Sequence, residues 1–256
     1  DFASMGNTNG IIALSRGLDV ELIWLHEILG EIEALAVRKD SGIEKVEDLA
    51  GKSIATTFAS TSHYSLLQVL NEAGIADQVQ LLDMQTVDIV AAWERGDIDA
   101  AYTWQPSLGS LLENGDMLVS SEQVASMGHQ TANVLLARKG FTEQYPELTA
   151  DFIAALIAGG NLYRENPEQA AAIVAAPLGI TVENALGQMQ GSIWLTPEEE
   201  ISEAYMGTSE TAGDFSKVMK ATADFLLEQG SITESPSQEE FDAFINPKYI
   251  EMYLER

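Results

Sequence analysis

Between Ala34 and Trp104 the chain alternates short apolar runs with amphipathic ones, which restricts it to layered α/β architectures. Ala34-Leu35-Ala36-Val37 is an apolar run bounded by charges and predicts a buried strand. A brief helical turn over 46–49 stops at Gly51, and Ser53-Ile54-Ala55-Thr56 resumes as strand. Ser60, Thr61 and Ser62 are N-cap candidates for a helix over 63–73 whose inner face is Leu66, Leu67, Leu70 and Ala73, with Gly74 as its stop. Residues 79–82 predict the next strand. A helix over 86–95 follows, with Val87, Val90 and Ala91 inward and Gly96 closing it. Ile98, Ala100 and Tyr102 then recur with the period of two that marks a strand. This order predicts mainly parallel pairing. From Tyr145 the pattern turns helical. Phe152, Ile153, Leu156, Ile157 and Tyr163 form one stripe, Pro167 opens a helix, and Thr181 caps another. Thr196-Pro197-Glu198-Glu199 is a capping box with Pro at the first helical position. Phe215, Val218, Met219, Phe225 and Leu226 predict a long amphipathic helix ending at Gly230.

Charge narrows the partners. Forty acidic against 13 basic residues give a formal charge of −27, and the acids are scattered rather than gathered in a tail. Such a surface repels nucleic-acid phosphates and anionic lipid, so neither is expected as a partner. No apolar run approaches the roughly 20 residues needed to cross a bilayer, so direct membrane insertion is not expected either. With no cysteine, disulfides, thiolate catalysis and thiolate-ligated metals are excluded. The opening residues, Asp1-Phe2-Ala3-Ser4-Met5-Gly6-Asn7, read as the interior of a domain, so an upstream segment is expected.

The candidate chemistry is sparse. Gly51-Lys52-Ser53 lacks the earlier glycine of a phosphate loop, since Val46 stands there, and a strand rather than a helix follows. Asp97 and Asp99 have the spacing that begins a calcium loop but nothing completes it. His26, His63 and His129 lie far apart, without metal-ligand spacing. No Gly-x-Ser-x-Gly elbow is present. No catalytic residue, metal or cofactor is therefore assigned. Ser60-Thr61-Ser62-His63-Tyr64 follows a strand and opens a helix, where unpaired N–H groups and hydroxyls bind anions. Three hydroxyl residues exceed what capping needs, although capping alone remains the alternative. Tyr102-Thr103-Trp104-Gln105-Pro106 ends a strand, where open α/β sheets place ligands, so Trp104 is either core or the wall of a cation site. Glu31 and Glu33 flank Ile32 before a buried strand, where a carboxylate could hold an ammonium.

Four stretches resemble the taurine-binding proteins of the ABC sulfonate/nitrate/taurine importers: Leu29-Gly30-Glu31-Ile32-Glu33-Ala34-Leu35, Ser60 to Leu67, Ala91 to Pro106, and more weakly Ser120-Ser121-Glu122-Gln123-Val124. The resemblance implies a type II periplasmic-binding-protein fold of two α/β lobes joined by two crossing strands, 33–37 and 133–137. One lobe would be residues 35–132. The other would combine 1–34 with 133–256 and lack its N-terminal part. It implies a periplasmic protein, or an extracytoplasmic one tethered to the membrane. This protein would capture a small zwitterionic sulfonate such as taurine in an interlobe cleft and deliver it to an ABC permease and its ATPase, without being an enzyme. On that template Ser60, Thr61, Ser62 and His63 cradle the sulfonate and Asn7 and Thr8 face it. Tyr64 and Trp104, with Gln105 beside it, form the walls, and Glu33 lies near the hinge. Where such proteins carry an Asp in a Thr-x-Asp-Val stretch, this chain has Asn133, with His129 nearby, and Glu31 could supply the missing carboxylate. The alternatives are another ligand of the same receptor class, namely a betaine, a choline-like cation or an alkanesulfonate. More remotely, an enzyme on the same fold, such as a thiamin-precursor synthase, would need a reactive Cys or a cofactor-anchoring Lys.

Overall fold

A computed structural model describes residues 1–256, which divide into two compact units. The central unit comprises Leu29–Thr131 with residues 190–192; the end-built unit comprises Asp1–Ile28, Ala132–Met189 and Ile193–Arg256. The chain thus passes between them at 28–29, at 131–132, and twice around 190–192.

The central unit is a five-stranded sheet in the order β5-β4-β6-β3-β7. Its strands are β3 (Glu33–Arg38), β4 (Ser53–Thr56), β5 (Gln80–Asp83), β6 (Ala100–Trp104) and β7 (Gly115–Ser120). Its helices are α2 (Thr61–Glu72), α3 (Thr86–Arg95), α4 (Ser107–Leu112) and α5 (Ser121–Ser126). Alternate residues of β3 feed two separate cores, which is why that strand is apolar on both faces from Ala34 to Val37. Leu35 and Val37 pack with Leu66, Leu70 and Tyr102, while Ala34 and Ala36 pack with Ile89, Ala92, Trp93 and Leu108.

Two expectations change here. The inward face of α3 is Ile89, Ala92 and Trp93, whereas Val87 is 72% exposed, because the helix presents its large aromatic and not its small β-branched residues to the sheet. The pairing is mixed rather than mainly parallel. β4 runs parallel to β5 and β6, but β3 is antiparallel to both β6 and β7. Parallel strands need crossover connections, which α2 (β4 to β5) and α3 (β5 to β6) supply, whereas β3 lies between β6 and β7 and runs against both.

The end-built unit has the sheet order β1-β8-β2-β9, with β1 (Phe2–Gly6), β2 (Val20–Leu29), β8 (Ala132–Arg138) and the short β9 (Ser192–Ile193). Both β1 and β2 pair antiparallel with β8. Its helices are α1 (Asn7–Ser15), α6 (Lys139–Gln144), α7 (Pro146–Glu165), α8 (Pro167–Leu178), α9 (Val182–Gln190), α10 (Pro197–Glu200), α11 (Asp214–Glu228), α12 (Gln238–Phe244) and α13 (Lys248–Leu254). One core gathers Leu22, Leu25, Leu135, Ile153, Ile157, Phe215, Met219, Phe241 and Phe244. Thr196 and Glu199 form the expected capping box at α10. Deep in this unit Glu200 is fully buried: one carboxylate oxygen accepts the Leu25 N–H at 3.1 Å and the other has no partner. Burial pushes its carboxyl well above the usual range, with nearby Arg164 pulling the other way. No single helix is long and apolar enough to cross a membrane.

Candidate functional site

In the central unit the decisive local structure is the start of α2. Ser60 is the N-cap in extended backbone, and its Oγ accepts the His63 N–H at 3.2 Å while donating to the Thr57 carbonyl at 2.6 Å. The turn before it is strained. Ala59 has φ +60°, the one non-glycine residue in the left-handed region, and such conformations persist where the surroundings over-determine them. Those surroundings are visible: the Phe58 ring stacks on His63 at 4.3 Å, and the Phe58 N–H donates to Asp83 Oδ1 at 2.9 Å. Burial holds the His63 imidazole below its usual range, with Asp83 opposing. By helix geometry the N–H groups of Thr61 and Ser62 have no intrahelical acceptor.

The hydroxyls of this turn do not project outward as the sequence suggested. Thr61 Oγ1 and Ser62 Oγ both donate to one oxygen of Glu33, at 2.5 and 2.8 Å, and Ser121 Oγ donates to the other at 2.7 Å. Each hydroxyl has a single proton, so none of the three can simultaneously donate to a ligand. Glu33 itself is 1% exposed, with both oxygens engaged. It is therefore an internal brace, and not a carboxylate open to an ammonium. Burial raises its carboxyl above the ordinary range, and the three hydroxyl bonds oppose that shift. Ser121 in turn meets the Tyr102 hydroxyl at 3.0 Å, and burial together with the Glu33 charge raises the Tyr102 phenol. The extra hydroxyl residues thus have a structural partner that only the fold reveals. A trace of it lay in the Ser120-Ser121-Glu122-Gln123 stretch, whose Ser120 and Gln123 form the capping box of α5.

The other expected residues of this unit scatter in role. Tyr64 is buried, and its hydroxyl lies 3.4 Å from His129 Nδ1, with the rings edge to face at 6.2 Å. Trp104 is half-buried at the end of β6, in register with Glu33. Gln105 Oε1 accepts the Gly109 N–H at 3.0 Å and so belongs to α4. Glu31 is exposed.

In the end-built unit Asn7 opens α1 after Gly6, an N-cap without a side-chain bond. Asn7 and Thr8 are both fully buried. Asn7 Oδ1 accepts the Ala132 N–H at 3.3 Å, while its Nδ2 is buried without a protein partner. Asn133 donates from Nδ2 to Glu27 Oε1 at 2.5 Å. Glu27 is half-buried, and burial raises its carboxyl while the Asn133 bond lowers it. Glu27 carries no signal of its own in the sequence, because along the strand Glu-Leu-Ile-Trp-Leu-His-Glu nothing separates a surface acid from one beside Asn133. The register of β2 on β8 supplies the distinction. No cluster of metal-ligating side chains occurs.

Residues 1–170 match the family model described as "NMT1/THI5 like". The Taurine-binding periplasmic protein of Escherichia coli is 37% identical over 236 residues, covering 90% of this chain and 71% of that protein. Among solved structures, the periplasmic aliphatic sulphonate binding protein SsuA from Escherichia coli superposes with a TM-score of 0.79 at 22% identity, covering 98% of this chain and 81% of that one. The desulfurization enzyme DSZB superposes at 0.68 with 18% identity, covering 100% and 85%, so the fold is shared with an enzyme. The architecture is the type II periplasmic-binding fold expected from the sequence. On a family match over residues 1–170 and a 37% identical relative spanning 90% of its length, the chain belongs to the NMT1/THI5-like family, alongside the taurine- and sulfonate-binding periplasmic proteins.

Proposed function

We propose that this protein is the extracytoplasmic substrate-binding component of an ABC importer, that it captures a small zwitterionic sulfonate such as taurine, and that it hands the ligand to a membrane permease driven by its ATPase. The single observation that carries the ligand class is the strained turn into α2. The first turn of α2 holds the N–H groups of Thr61 and Ser62, which have no intrahelical acceptor, at the positive end of a helix of 12 residues, and both residues are buried, so an anion there would be held away from bulk water. For the ammonium end, the same unit offers the exposed Glu31 carboxylate. A binding role requires no bond-breaking chemistry, and a sequence without cysteine has no thiolate to perform any. An alkanesulfonate without the amine is the second reading, favoured by the 22% identical sulphonate-binding structure.

Thermal-shift measurements with taurine, methanesulfonate, glycine betaine and choline test the proposal, since any ligand that binds only the native state raises the melting temperature. Taurine should give the largest shift. Equal shifts from taurine and methanesulfonate would favour the alkanesulfonate reading. Shifts from choline or betaine alone would refute the sulfonate assignment.

A further inference from the structure

Glu33 sits where a carboxylate is at first sight unwelcome, directly behind a helix start read as an anion seat. The geometry explains its presence. Thr61 and Ser62 each contribute two donors, a hydroxyl and a backbone N–H. The hydroxyls point inward to Glu33 at 2.5 and 2.8 Å, so only the N–H groups remain for a ligand. Ser121, the first residue of α5, gives Glu33 its third O–H, and the Tyr102 hydroxyl backs Ser121. Three O–H donors and the first turns of two helices converge on a side chain that is 1% exposed. No cation takes part in this cluster: the nine ion pairs of the protein do not include Glu33. An anion on the Thr61 and Ser62 amides therefore shares its helical turn with two hydroxyls bonded to Glu33, a buried carboxylate without an ionic partner.

We infer that Glu33 is a charge filter: it lets the α2 helix start accept singly charged sulfonates and rejects doubly charged oxyanions of the same shape. The inference rests on the anion seat proposed above and deepens it. Helix donors attract either kind of anion, and each added negative charge on the ligand strengthens that attraction. A buried carboxylate reverses the trend, because its repulsion also scales with ligand charge and is little screened by salt. At an effective dielectric of about 20, one further charge pair about 4–6 Å apart changes a binding constant by roughly two to three powers of ten, less what the helix donors gain from the second charge. Sulfonates and phosphonates are matched in shape but differ in charge at pH 8, so they separate charge from fit.

The test compares dissociation constants at pH 8 for taurine and 2-aminoethylphosphonate, and for methanesulfonate and methylphosphonate, on the native protein and on Glu33→Gln and Glu33→Asp. Methanesulfonate should be preferred over methylphosphonate only severalfold, because part of that phosphonate is still monoanionic at pH 8, and the native protein should prefer taurine over 2-aminoethylphosphonate by at least roughly tenfold. Glu33→Gln should lower that preference at least tenfold while still binding the sulfonate, and Glu33→Asp should keep it. Gln fits the site chemically: its carbonyl can accept from Thr61 and Ser62 while its amide donates to Ser121, whose proton turns to Tyr102. Should that variant fail to melt cooperatively, the native ratios decide, and a ratio near one in the native protein overturns the filter. An unchanged ratio in a folded Glu33→Gln variant overturns it too. If methanesulfonate binds and taurine does not, the zwitterion reading fails while the second pair still reads the filter; if neither sulfonate binds, seat and filter fall together.

Discussion

Removing one donor from the buried Glu33 cluster measures what holds the start of α2 in place. Ser121→Ala is the cleanest change. Ser121 is the donor to one carboxylate oxygen, it lies on α5 rather than α2, and no other donor to that oxygen is present. A hydrogen bond to a charged group contributes about 1.5–3 kcal/mol, and an orphaned buried acceptor sits at the upper part of that range. For a chain of this size each kcal/mol moves the melting temperature by about 2–4 °C, so the variant should melt about 3–12 °C lower at pH 8. The pH dependence follows from the sign of the lost interaction. Ser121 favours the ionised carboxylate, so it holds the folded carboxyl of Glu33 lower in the native protein than in the variant. Its stabilisation is present when Glu33 is ionised and is lost as pH falls through the folded carboxyl's range, which burial has raised. Native and variant melting curves recorded by circular dichroism from pH 8 to pH 5 should therefore converge on acidification. A difference below 1 °C at pH 8, or one that does not shrink toward pH 5, would refute the assignment of Glu33 as a hydroxyl-braced carboxylate.

Three further outcomes are expected. Glu31→Gln should weaken taurine binding by at least roughly tenfold, about 1.4 kcal/mol, and leave methanesulfonate binding unchanged, as isothermal titration would show; an unchanged taurine constant would leave Glu31 as a solvated surface acid. Glu200, its folded carboxyl raised by burial, binds its proton more tightly in the native state, so stability falls as pH rises from the ordinary glutamate range through that raised value. The stability difference between native protein and Glu200→Gln should accordingly move in favour of the variant between pH 5 and pH 8, and a constant difference would contradict the shift. Gly115→Ala should destabilise by about 1–3 kcal/mol in chemical unfolding, because an added Cβ meets Trp93 at 2.6 Å, the Val37 carbonyl at 2.8 Å and the Leu111 carbonyl at 2.9 Å. A neutral result would mean that the α4–β7 connection is looser than its packing indicates.

The sequence by itself determined the α/β class and the strands and helices from Ala34 to Tyr102, but not β1, β2, β7, α1, α4 or α5. Apolar runs at Leu35 and Ile54, Gly74 and Gly96 in left-handed stops, and the Thr196–Glu199 capping box are local signals, since a strand's period, a positive φ or a cap involves residues within one turn of each other. The same locality made Ser60 readable as an N-cap. Tertiary structure decided what those signals serve. Glu33 and Ser121 are 88 residues apart, and Glu27 and Asn133 are 106 apart, so no pattern within a window could pair either couple. The inward turn of the Thr61 and Ser62 hydroxyls, the burial of Ile89 in place of Val87, and the antiparallel setting of β3 all follow from strand register and from which helix covers which face. Hydrogen bonding and burial depend on distance in space, which for a folded chain is independent of distance along it.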